Sequence, residues 1–243
     1  MALHFLLDEP ASAQAGDAVV LTGAEAHHAA AVRRVRVGED VTVGDGRGAW
    51  LAGVVESVQP REVVVRIVRR TDAARPARRL VLAQALAKGD RDELAVQAAA
   101  ELGVDEIVPW QAARSVSRWD AAKVEKGRTR WTAIVREAAK QAHRAWVPEV
   151  ATLETTKQLA RRAEASVVLV LEPTAETPLS SLALDGDADV VLVVGPEGGI
   201  APEELVTLAD AGATLVRLGD TVLRTSTAGP AALAVASVRL GRW

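Results

Sequence analysis

From residue 80 onward, short apolar runs alternate with segments of helical periodicity, and this alternation limits the possible folds more than any other feature of the sequence. A buried strand followed by a helix, repeated several times, is typical of a parallel sheet with crossover helices. The sequence therefore predicts an α/β domain. Its predicted strands lie at residues 80–86, 104–109, 166–171, 189–195 and 215–218, and its predicted helices at 92–102, 121–143, 202–211 and 226–240.

The first 70 residues have a different pattern, in which short β-branched runs are separated by Gly and Asp. The segment GDGRG at 44–48 lies between two runs of alternating apolar residues, which indicates a hairpin. Several short strands at this spacing predict a small β-barrel. Residues 69–79 are polar, contain Pro76 and lack periodicity, so we interpret them as a linker. We therefore expect two domains, at residues 1–72 and 73–243.

The composition excludes several kinds of site. The chain has no Cys and four His residues, so disulfides, zinc ribbons and thiolate nucleophiles are excluded, and no metal is expected. The N-terminal stretch lacks the pattern of a secretion signal, and no run of 18 apolar residues occurs, which predicts a cytoplasmic protein without a membrane partner. The net charge is −3, but residues 76–150 carry 13 basic against 10 acidic side chains, so the middle third is the basic part.

A glycine-rich turn follows the most apolar predicted strand. The sequence VVLVVGPEGG at 190–199 places Gly195, Gly198 and Gly199 at the carboxyl end of that strand, where ligands bind in open α/β sheets. Residues without a Cβ let a ligand lie against backbone amides. The segment matches neither the dinucleotide fingerprint nor the phosphate loop of nucleotide hydrolases. Taken alone, it is also explained by a tight strand-to-helix connection.

Two further segments combine charged groups with predicted helices. In LGDTVLRTSTA at 218–228, Arg224 precedes three hydroxyl residues, although these hydroxyls also suit the N-terminal cap of the next helix. In REAAKQAHR at 136–144, four side chains recur at three- and four-residue spacing and share one helix face. They are Glu137, Lys140, Gln141 and Arg144. A solvated face with an ion pair also explains this second pattern.

Basic residues near aromatic or histidine side chains are candidates for RNA contact. Arg114 and Arg118 precede Trp119, a combination that can hold an RNA backbone or stack a base. A second group, near the predicted barrel, consists of His27, His28, Arg33, Arg34 and Arg36. Loop arginines beside a half-buried Trp are the alternative for the first group, and a solvated helical face is the alternative for the second.

Taken in order, these segments resemble the bacterial 16S ribosomal RNA uracil-N3 methyltransferases, the RsmE family of the SPOUT superfamily. The resemblance runs nearly from end to end, and GPEGG followed by LG and LRTSTA is its most specific part. Its other parts are residues 27–36 with GED at 38–40, KGD at 88–90, ELGV at 101–104, RSV at 114–116 and residues 137–148. The resemblance implies a PUA-like RNA-binding β-barrel, then an α/β methyltransferase domain ending in a trefoil knot.

By the same resemblance, S-adenosyl-L-methionine would bind in the knot between three loops. The implied cofactor contacts are Leu171, Glu172, Pro173, Gly195, Pro196, Glu197, Gly198, Gly199, Leu218, Gly219, Leu223 and Thr225. The implied RNA contacts are His27, Arg33, Arg34, Arg36, Lys88, Arg114 and Arg118. The implied partners are 16S rRNA within the small ribosomal subunit and a second copy of the chain, bound through the knotted domain.

The implied reaction requires uracil N3 to be aligned with the methyl donor and negative charge on O2 and O4 to be stabilised. Arg224 is the first candidate for that stabilisation and Glu137 for the general base, with Gln141 and Arg144 as positioning groups. The chain departs from the family pattern at two positions. Lys140 stands where an acid is common, and Ser226 stands where Glu is common, so no catalytic carboxylate is expected at position 226.

The sequence leaves two other functions open. One is methylation of ribose 2′-hydroxyls in rRNA or tRNA by an enzyme of the same superfamily, which product analysis separates from N3 methylation. The other is a non-catalytic RNA-binding factor for ribosome assembly with the same fold. The intact GPEGG turn and Arg224 argue against the second, and failure to bind the cofactor would favour it.

Overall fold

The computed structural model describes residues 2–243, which form two compact units. The first comprises the chain up to Arg75 together with Ala139–Val147, and the second comprises Pro76–Ala138 and Pro148–Trp243. The limits of 1–72 and 73–243 for two functional domains stay a prediction. They do not anticipate that Ala139–Val147 belongs to the first unit.

The first unit is built on a five-stranded sheet in the order β1-β3-β4-β5-β2. Strands β1 and β3 are parallel and the other pairs are antiparallel. Within residues 2–243 the edge strands β1 and β2 do not pair with each other, so the predicted barrel is a half-barrel. Its elements are β1 (Leu3–Leu6), β2 (Ala18–Thr22), α1 (Gly23–His27) with a π-helical turn at His28–Val32, β3 (Asp40–Gly44), β4 (Ala49–Gln59) and β5 (Glu62–Asp72).

Strand β5 continues to Asp72, so residues 69–72 of the predicted linker are part of the sheet. Arg70 anchors this end of the strand, because its guanidinium donates to the carbonyls of Ala11 and Ala13 and pairs with the Asp72 carboxylate at 2.7 Å. The polar composition of residues 69–72 does not predict a strand, since these residues make their contacts through charged groups rather than by burying apolar surface.

The second unit contains a parallel sheet in the order β12-β10-β11-β6-β7-β8, with β9 also paired to β7. This arrangement confirms the predicted α/β class, and every predicted strand and helix of this part is present. Five short elements were not predicted, namely β8, β9, α4, the 3₁₀ turn after α4 and a 3₁₀ turn at Leu179–Ser181. The elements are β6 (Leu80–Ala85), α2 (Arg91–Glu101), β7 (Glu106–Gln111), α3 (Ala121–Gln141), β8 (Glu149–Val150), β9 (Glu154–Thr155), α4 (Thr156–Arg161), β10 (Ser166–Leu171), β11 (Asp189–Val194), α5 (Pro202–Asp210), β12 (Thr214–Val216) and α6 (Thr225–Arg239).

The C-terminal part of the second unit contacts the connection between β10 and β11. The N–H of Arg217, just after β12, donates to the carbonyl of Thr177, and the N–H of Leu179 donates to the carbonyl of Arg217. Helix α6 then packs on β6, β11 and α2, and its last residue, Arg239, donates to the carbonyl of Leu182. The trefoil knot implied by the resemblance stays a prediction.

Helix α3 ends at a residue with left-handed backbone geometry. His143 has φ +54°, and its N–H donates to the carbonyl of Lys140, while the N–H of Arg144 donates to that of Ala139. These two bonds form the Schellman pattern, in which Gly is the usual left-handed residue. The His143 ring lies 5.5 Å from the ring of His4 and 6.3 Å from that of Trp50, between centroids. This packing holds a conformation that a residue with a Cβ rarely adopts.

The buried His4 ring predicts a pH-dependent stability of the first unit. His4 is 6% exposed and stacks on Trp50 at 4.2 Å. Burial, reinforced by the charges of His143 and Lys140, lowers the pKa of His4 from 6.5 to about 4. In the unfolded chain, His4 therefore becomes protonated near pH 6.5. In the folded chain it becomes protonated only near pH 4. Because the unfolded state binds more protons, the free energy of unfolding falls by about 3 kcal/mol as the pH drops through this interval.

Urea unfolding of the wild type and of His4→Phe at several pH values measures this effect. The Phe ring keeps the stack on Trp50 and cannot titrate, so the variant is expected to lose most of the slope between pH 6.5 and 4. An unchanged slope in His4→Phe would assign the pH dependence to other groups.

Candidate active site

Three loops at one edge of the second sheet enclose a cavity of about 450 Å³. The loops follow β10, β11 and β12, which are neighbours in a parallel sheet, so their carboxyl ends meet at the same edge. The cavity lies at the position where open α/β sheets bind ligands, and its volume is in the range of small-molecule sites. The GPEGG turn, from which the sequence predicted a ligand site, forms one wall of the cavity.

Eleven of the twelve residues assigned to the cofactor line this cavity. They are Leu171, Glu172 and Pro173 after β10, Gly195, Pro196, Glu197 and Gly199 after β11, and Leu218, Gly219, Leu223 and Thr225 after β12. Gly198 is the exception, and its carbonyl accepts a hydrogen bond from Arg114 Nη1 at 3.1 Å. A Cβ at Gly198 would stand 3.3 Å from the Cβ of Arg114, so this glycine permits the close approach of the arginine. The contacts of all twelve with a cofactor stay a prediction.

Glycines shape the cavity in two ways. Gly195 has no room for a side chain, since a Cβ there would stand 2.6 Å from Cγ1 of Ile200, another lining residue. Gly199 and Gly219 instead face open space, with nothing within 4 Å of a Cβ. The backbone at these two positions is therefore open to a bound molecule.

The donors and apolar groups of the cavity suit S-adenosylmethionine. Within residues 2–243, no hydrogen bond engages the backbone N–H groups of Leu218 and Leu223, so both are available to a polar ligand edge. The side chains of these residues, with Ile200 and Val216, supply apolar surface for a flat ring. Free amides beside apolar walls are what an adenine ring requires, so these residues fit the cofactor.

Arg224 lies at the cavity with no partner of its own. It is the residue before the first turn of α6, with φ −65° and ψ 151°, and it lines the cavity. Its side chain makes no hydrogen bond or ion pair with any residue in the range 2–243, so its guanidinium is free to bind a substrate. The hydroxyls that follow do not cap the helix. Thr225 Oγ1 instead donates to the carbonyl of Gly195 at 2.8 Å.

The three candidates from the segment 137–144 are not among these lining residues. Glu137 and Gln141 are exposed, Arg144 is half-buried, and none of the three lines the cavity. Glu137 belongs to the second unit, whereas Gln141 and Arg144 belong to the first. Their catalytic and positioning roles stay a prediction. Lys140, on the same turn, is buried and its Nζ pairs with Glu25 Oε1 at 2.8 Å within the first unit.

Arg91 is one of the lining residues that the sequence analysis missed. Its Nη1 atom donates to Glu197 Oε1 at 2.8 Å, and the same oxygen accepts the backbone N–H of Lys88 at 2.9 Å. Partial burial alone would raise the pKa of Glu197, but hydrogen bonds from its own N–H, from Lys88 and from Arg91 lower it. Glu197 is therefore a carboxylate that joins the turn before α2 to the GPEGG turn. The signal was available, since Arg91 directly follows KGD.

The predicted RNA contacts are exposed and distributed over both units. His27, Arg33, Arg34 and Arg36 lie on the first unit, at α1 and the loop before β3. Lys88, Arg114 and Arg118 lie on the second unit, and Arg118 Nη2 donates to the carbonyl of Ala113 at 3.0 Å. Contact of these residues with RNA stays a prediction.

Residues 2–243 contain neither a metal-binding cluster nor a membrane-spanning helix. No group of three or more His, Asp or Glu side chains is arranged to hold a metal ion. No helix in the same range is both long and apolar enough to span a membrane.

Comparison with known proteins identifies the family. The model of an RNA methyltransferase domain matches residues 74–237, and that of an RNA methyltransferase PUA domain matches residues 21–68. Ribosomal RNA small subunit methyltransferase E of Mycobacterium bovis is 45% identical over 233 residues, covering 94% of this chain and 89% of the relative.

Two solved structures extend the comparison to the cofactor. One is ribosomal RNA small subunit methyltransferase E from Neisseria gonorrhoeae bound to S-adenosyl methionine, with 28% identity, a TM-score of 0.85 and 98% coverage of both chains. The other is a Legionella pneumophila protein described as a methyltransferase in complex with SAM, with 31% identity, a TM-score of 0.86 and 98% coverage of both chains. The N-terminal PUA domain, the α/β domain and the GPEGG cavity are thus accounted for together, and the chain belongs to the ribosomal RNA small subunit methyltransferase E family.

Proposed function

We propose that this protein transfers a methyl group from S-adenosyl-L-methionine to N3 of a specific uridine in the 16S rRNA of the small ribosomal subunit. The observation that carries the proposal is the cavity, in which a glycine-rich turn, two free backbone amides and an unpaired arginine meet at one sheet edge. The family of the chain supplies the class of reaction.

The three loops would hold the cofactor, with Leu218 and Leu223 enclosing its adenine and their N–H groups reading the ring edge. When bound, the cofactor supplies an activated methyl group on a positively charged sulfur. The open backbone at Gly199 and Gly219 leaves room for its polar part. The acidic C-terminal third, with 7 basic against 12 acidic side chains in residues 151–243, suits a cation.

The residues of the chain must then accept the proton of uracil N3 and stabilise the negative charge that develops on the base. Uracil N3–H has to lose its proton before or during transfer, and negative charge develops on O2 and O4. The free guanidinium of Arg224, at the cavity, stabilises that charge through charge-assisted hydrogen bonds. We assign Glu137 as the general base and Gln141 and Arg144 as positioning groups.

RNA recognition involves both units in this proposal. The exposed basic groups at α1 and the loop before β3 bind the RNA backbone, and Lys88, Arg114 and Arg118 bind it beside the GPEGG turn. Because N3 lies on the Watson–Crick edge, the target base must be unpaired or drawn out of a helix. The net charge of −3 favours a structured particle over naked RNA, since an acidic protein has low non-specific affinity for RNA.

We further propose a homodimer in the cytoplasm, formed through the second unit. The outer face of α6 repeats small and apolar side chains at helical spacing, namely Thr227, Ala231, Ala234 and Val238. Such a face allows close packing with a second copy. Sedimentation equilibrium of the purified protein tests this association.

Transfer of a labelled methyl group tests the substrate. Small ribosomal subunits that lack the modification, free 16S rRNA, large subunits and tRNA are incubated separately with the protein and labelled cofactor. We expect label in the 16S rRNA of small subunits, with much less on free 16S rRNA. Label on tRNA alone would contradict the proposal, and cofactor binding without transfer to any RNA would show that the assigned target is wrong. Failure to bind the cofactor would favour a non-catalytic RNA-binding role.

A further inference from the structure

A fully buried glutamine lies in the centre of the second sheet. Gln84 is on β6, between β11 and β7, in register with Val194 and Pro109. The other five residues of β6 are Leu, Val, Leu, Ala and Ala, and all of them are buried. A strand in this position needs no polar side chain for folding, because parallel sheets covered on both faces are stabilised by apolar residues. The amide of Gln84 therefore requires its own explanation.

The amide is the inner end of a hydrogen-bond relay that reaches the cavity. Gln84 Nε2 lies 2.9 Å from Thr225 Oγ1, which in turn lies 2.8 Å from the carbonyl oxygen of Gly195. The direction of both bonds is fixed by chemistry. A carbonyl oxygen can only accept, so the single hydroxyl proton of Thr225 is donated to Gly195, and the hydroxyl oxygen must accept from the Gln84 amide.

The other end of the Gln84 amide has no compensating bond. Its Oε1 atom is buried without a hydrogen-bond partner, although Nε2 also donates to the carbonyl of Ala85 at 3.2 Å. A buried acceptor without a partner destabilises the folded state, and an apolar residue of similar shape avoids that cost. Glutamine at position 84 is thus less favourable for stability than an apolar residue. This indicates that the hydrogen bond from its Nε2 group to Thr225 is the reason for its presence.

The relay joins two parts of the cavity wall that are far apart in the chain. Gly195 directly follows β11, whereas Thr225 begins α6, directly after Leu223 and Arg224. All four of these residues line the cavity, and Gln84 does not. Segment 217–224 contains no helix or strand, and the Thr225 hydroxyl connects the first residue of α6 directly to the GPEGG turn.

We propose that Gln84 is a positioning residue of the cofactor site, which acts through Thr225 to hold the Gly195 carbonyl and the first turn of α6 in the geometry that binds S-adenosylmethionine. The inference rests on the proposed function for the identity of the ligand. It assigns a role outside the cavity to a residue that contacts neither cofactor nor RNA.

Three variants test the relay in the full-length protein. Gln84→Leu removes the donor to Thr225, Thr225→Val removes the hydroxyl, and the double variant removes both. Val81→Ala, a buried change on the same strand outside the relay, is the matched control for general destabilisation. Two quantities are measured: hydrogen–deuterium exchange of the unliganded protein, and the Kd of S-adenosylmethionine by calorimetry.

We expect Gln84→Leu to weaken cofactor binding about tenfold, the size of one net hydrogen bond, and to speed amide exchange in residues 195–200 and 225–228. If the two residues act as one relay, the double variant binds the cofactor no more weakly than Thr225→Val. The control is expected to leave both the Kd and local exchange near the wild-type values.

Two results would overturn the inference. One is wild-type exchange and Kd in Gln84→Leu, and the other is a double variant whose loss equals the product of the two single losses. Failure of the proposed function gives a different result, namely a wild-type protein that does not bind the cofactor. In that case amide exchange of the unliganded variants still tests the relay.

Discussion

Replacing Arg224 with Ala is expected to lower kcat about 10²- to 10³-fold, while the Kd of S-adenosylmethionine stays within about threefold of wild type. The guanidinium has no protein partner in residues 2–243 and lies at the cavity, so its loss removes charge stabilisation without leaving a buried group unpaired. Single-turnover methyl transfer to small ribosomal subunits measures the chemical step, and calorimetry measures cofactor affinity.

Arg239→Ala is the matched control for Arg224→Ala. Arg239 is an exposed arginine at the last residue of the same helix, where it donates to the carbonyl of Leu182. It lies outside the cavity lining, so kcat is expected to stay near wild type. If Arg224→Ala retains near-normal turnover in a folded protein that binds the cofactor, the role assigned to Arg224 is wrong.

Replacing Gly195 with Ala is expected to weaken binding of S-adenosylmethionine about 10²-fold. The added Cβ would stand 2.6 Å from Cγ1 of Ile200, which is 5% exposed and lines the cavity. Either Ile200 moves into the ligand volume or the GPEGG turn shifts, and overpacking of this kind costs about 1–3 kcal/mol. Calorimetric titration of the variant with the cofactor measures the loss.

Two further variants separate this effect from general destabilisation. Gly127→Ala also forces an overlap, since its Cβ would stand 2.4 Å from Trp119, but neither residue lines the cavity, so cofactor affinity should not change. The double variant Gly195→Ala with Ile200→Ala removes Cγ1, the atom at the overlap, and is expected to recover part of the affinity. Wild-type affinity in Gly195→Ala would show that the turn does not adjoin the bound cofactor.

The sequence predicts the second unit well because its signals are local. An apolar run such as Val190–Val194 allows few alternatives to a buried parallel strand, and a glycine-rich turn after it places the site at the carboxyl edge. The glycines after β11 follow from that reasoning, whereas the cofactor contacts after β12 were implied by the family resemblance. The loop after β10, Leu171–Pro173, came from the family resemblance rather than from any local pattern.

Other features depend on contacts between distant residues, which the sequence does not express. Gln84 and Thr225 are 141 positions apart, and nothing in either segment indicates that their side chains meet. The same holds for Lys140, which periodicity places on a helix face with Glu137, while the structure buries it against Glu25 of the first unit. Strand β1 has only four residues, which is too short for an alternating pattern to predict it.

The central claim is that the methyl group goes to N3 of a uridine in 16S rRNA. The most direct test digests 16S rRNA from treated small subunits to nucleosides and identifies the labelled product by mass spectrometry against authentic standards. We expect the label in N3-methyluridine, and we expect the product to be lost with Arg224→Ala. Label in a 2′-O-methylnucleoside, or in any base other than uracil, would contradict this claim.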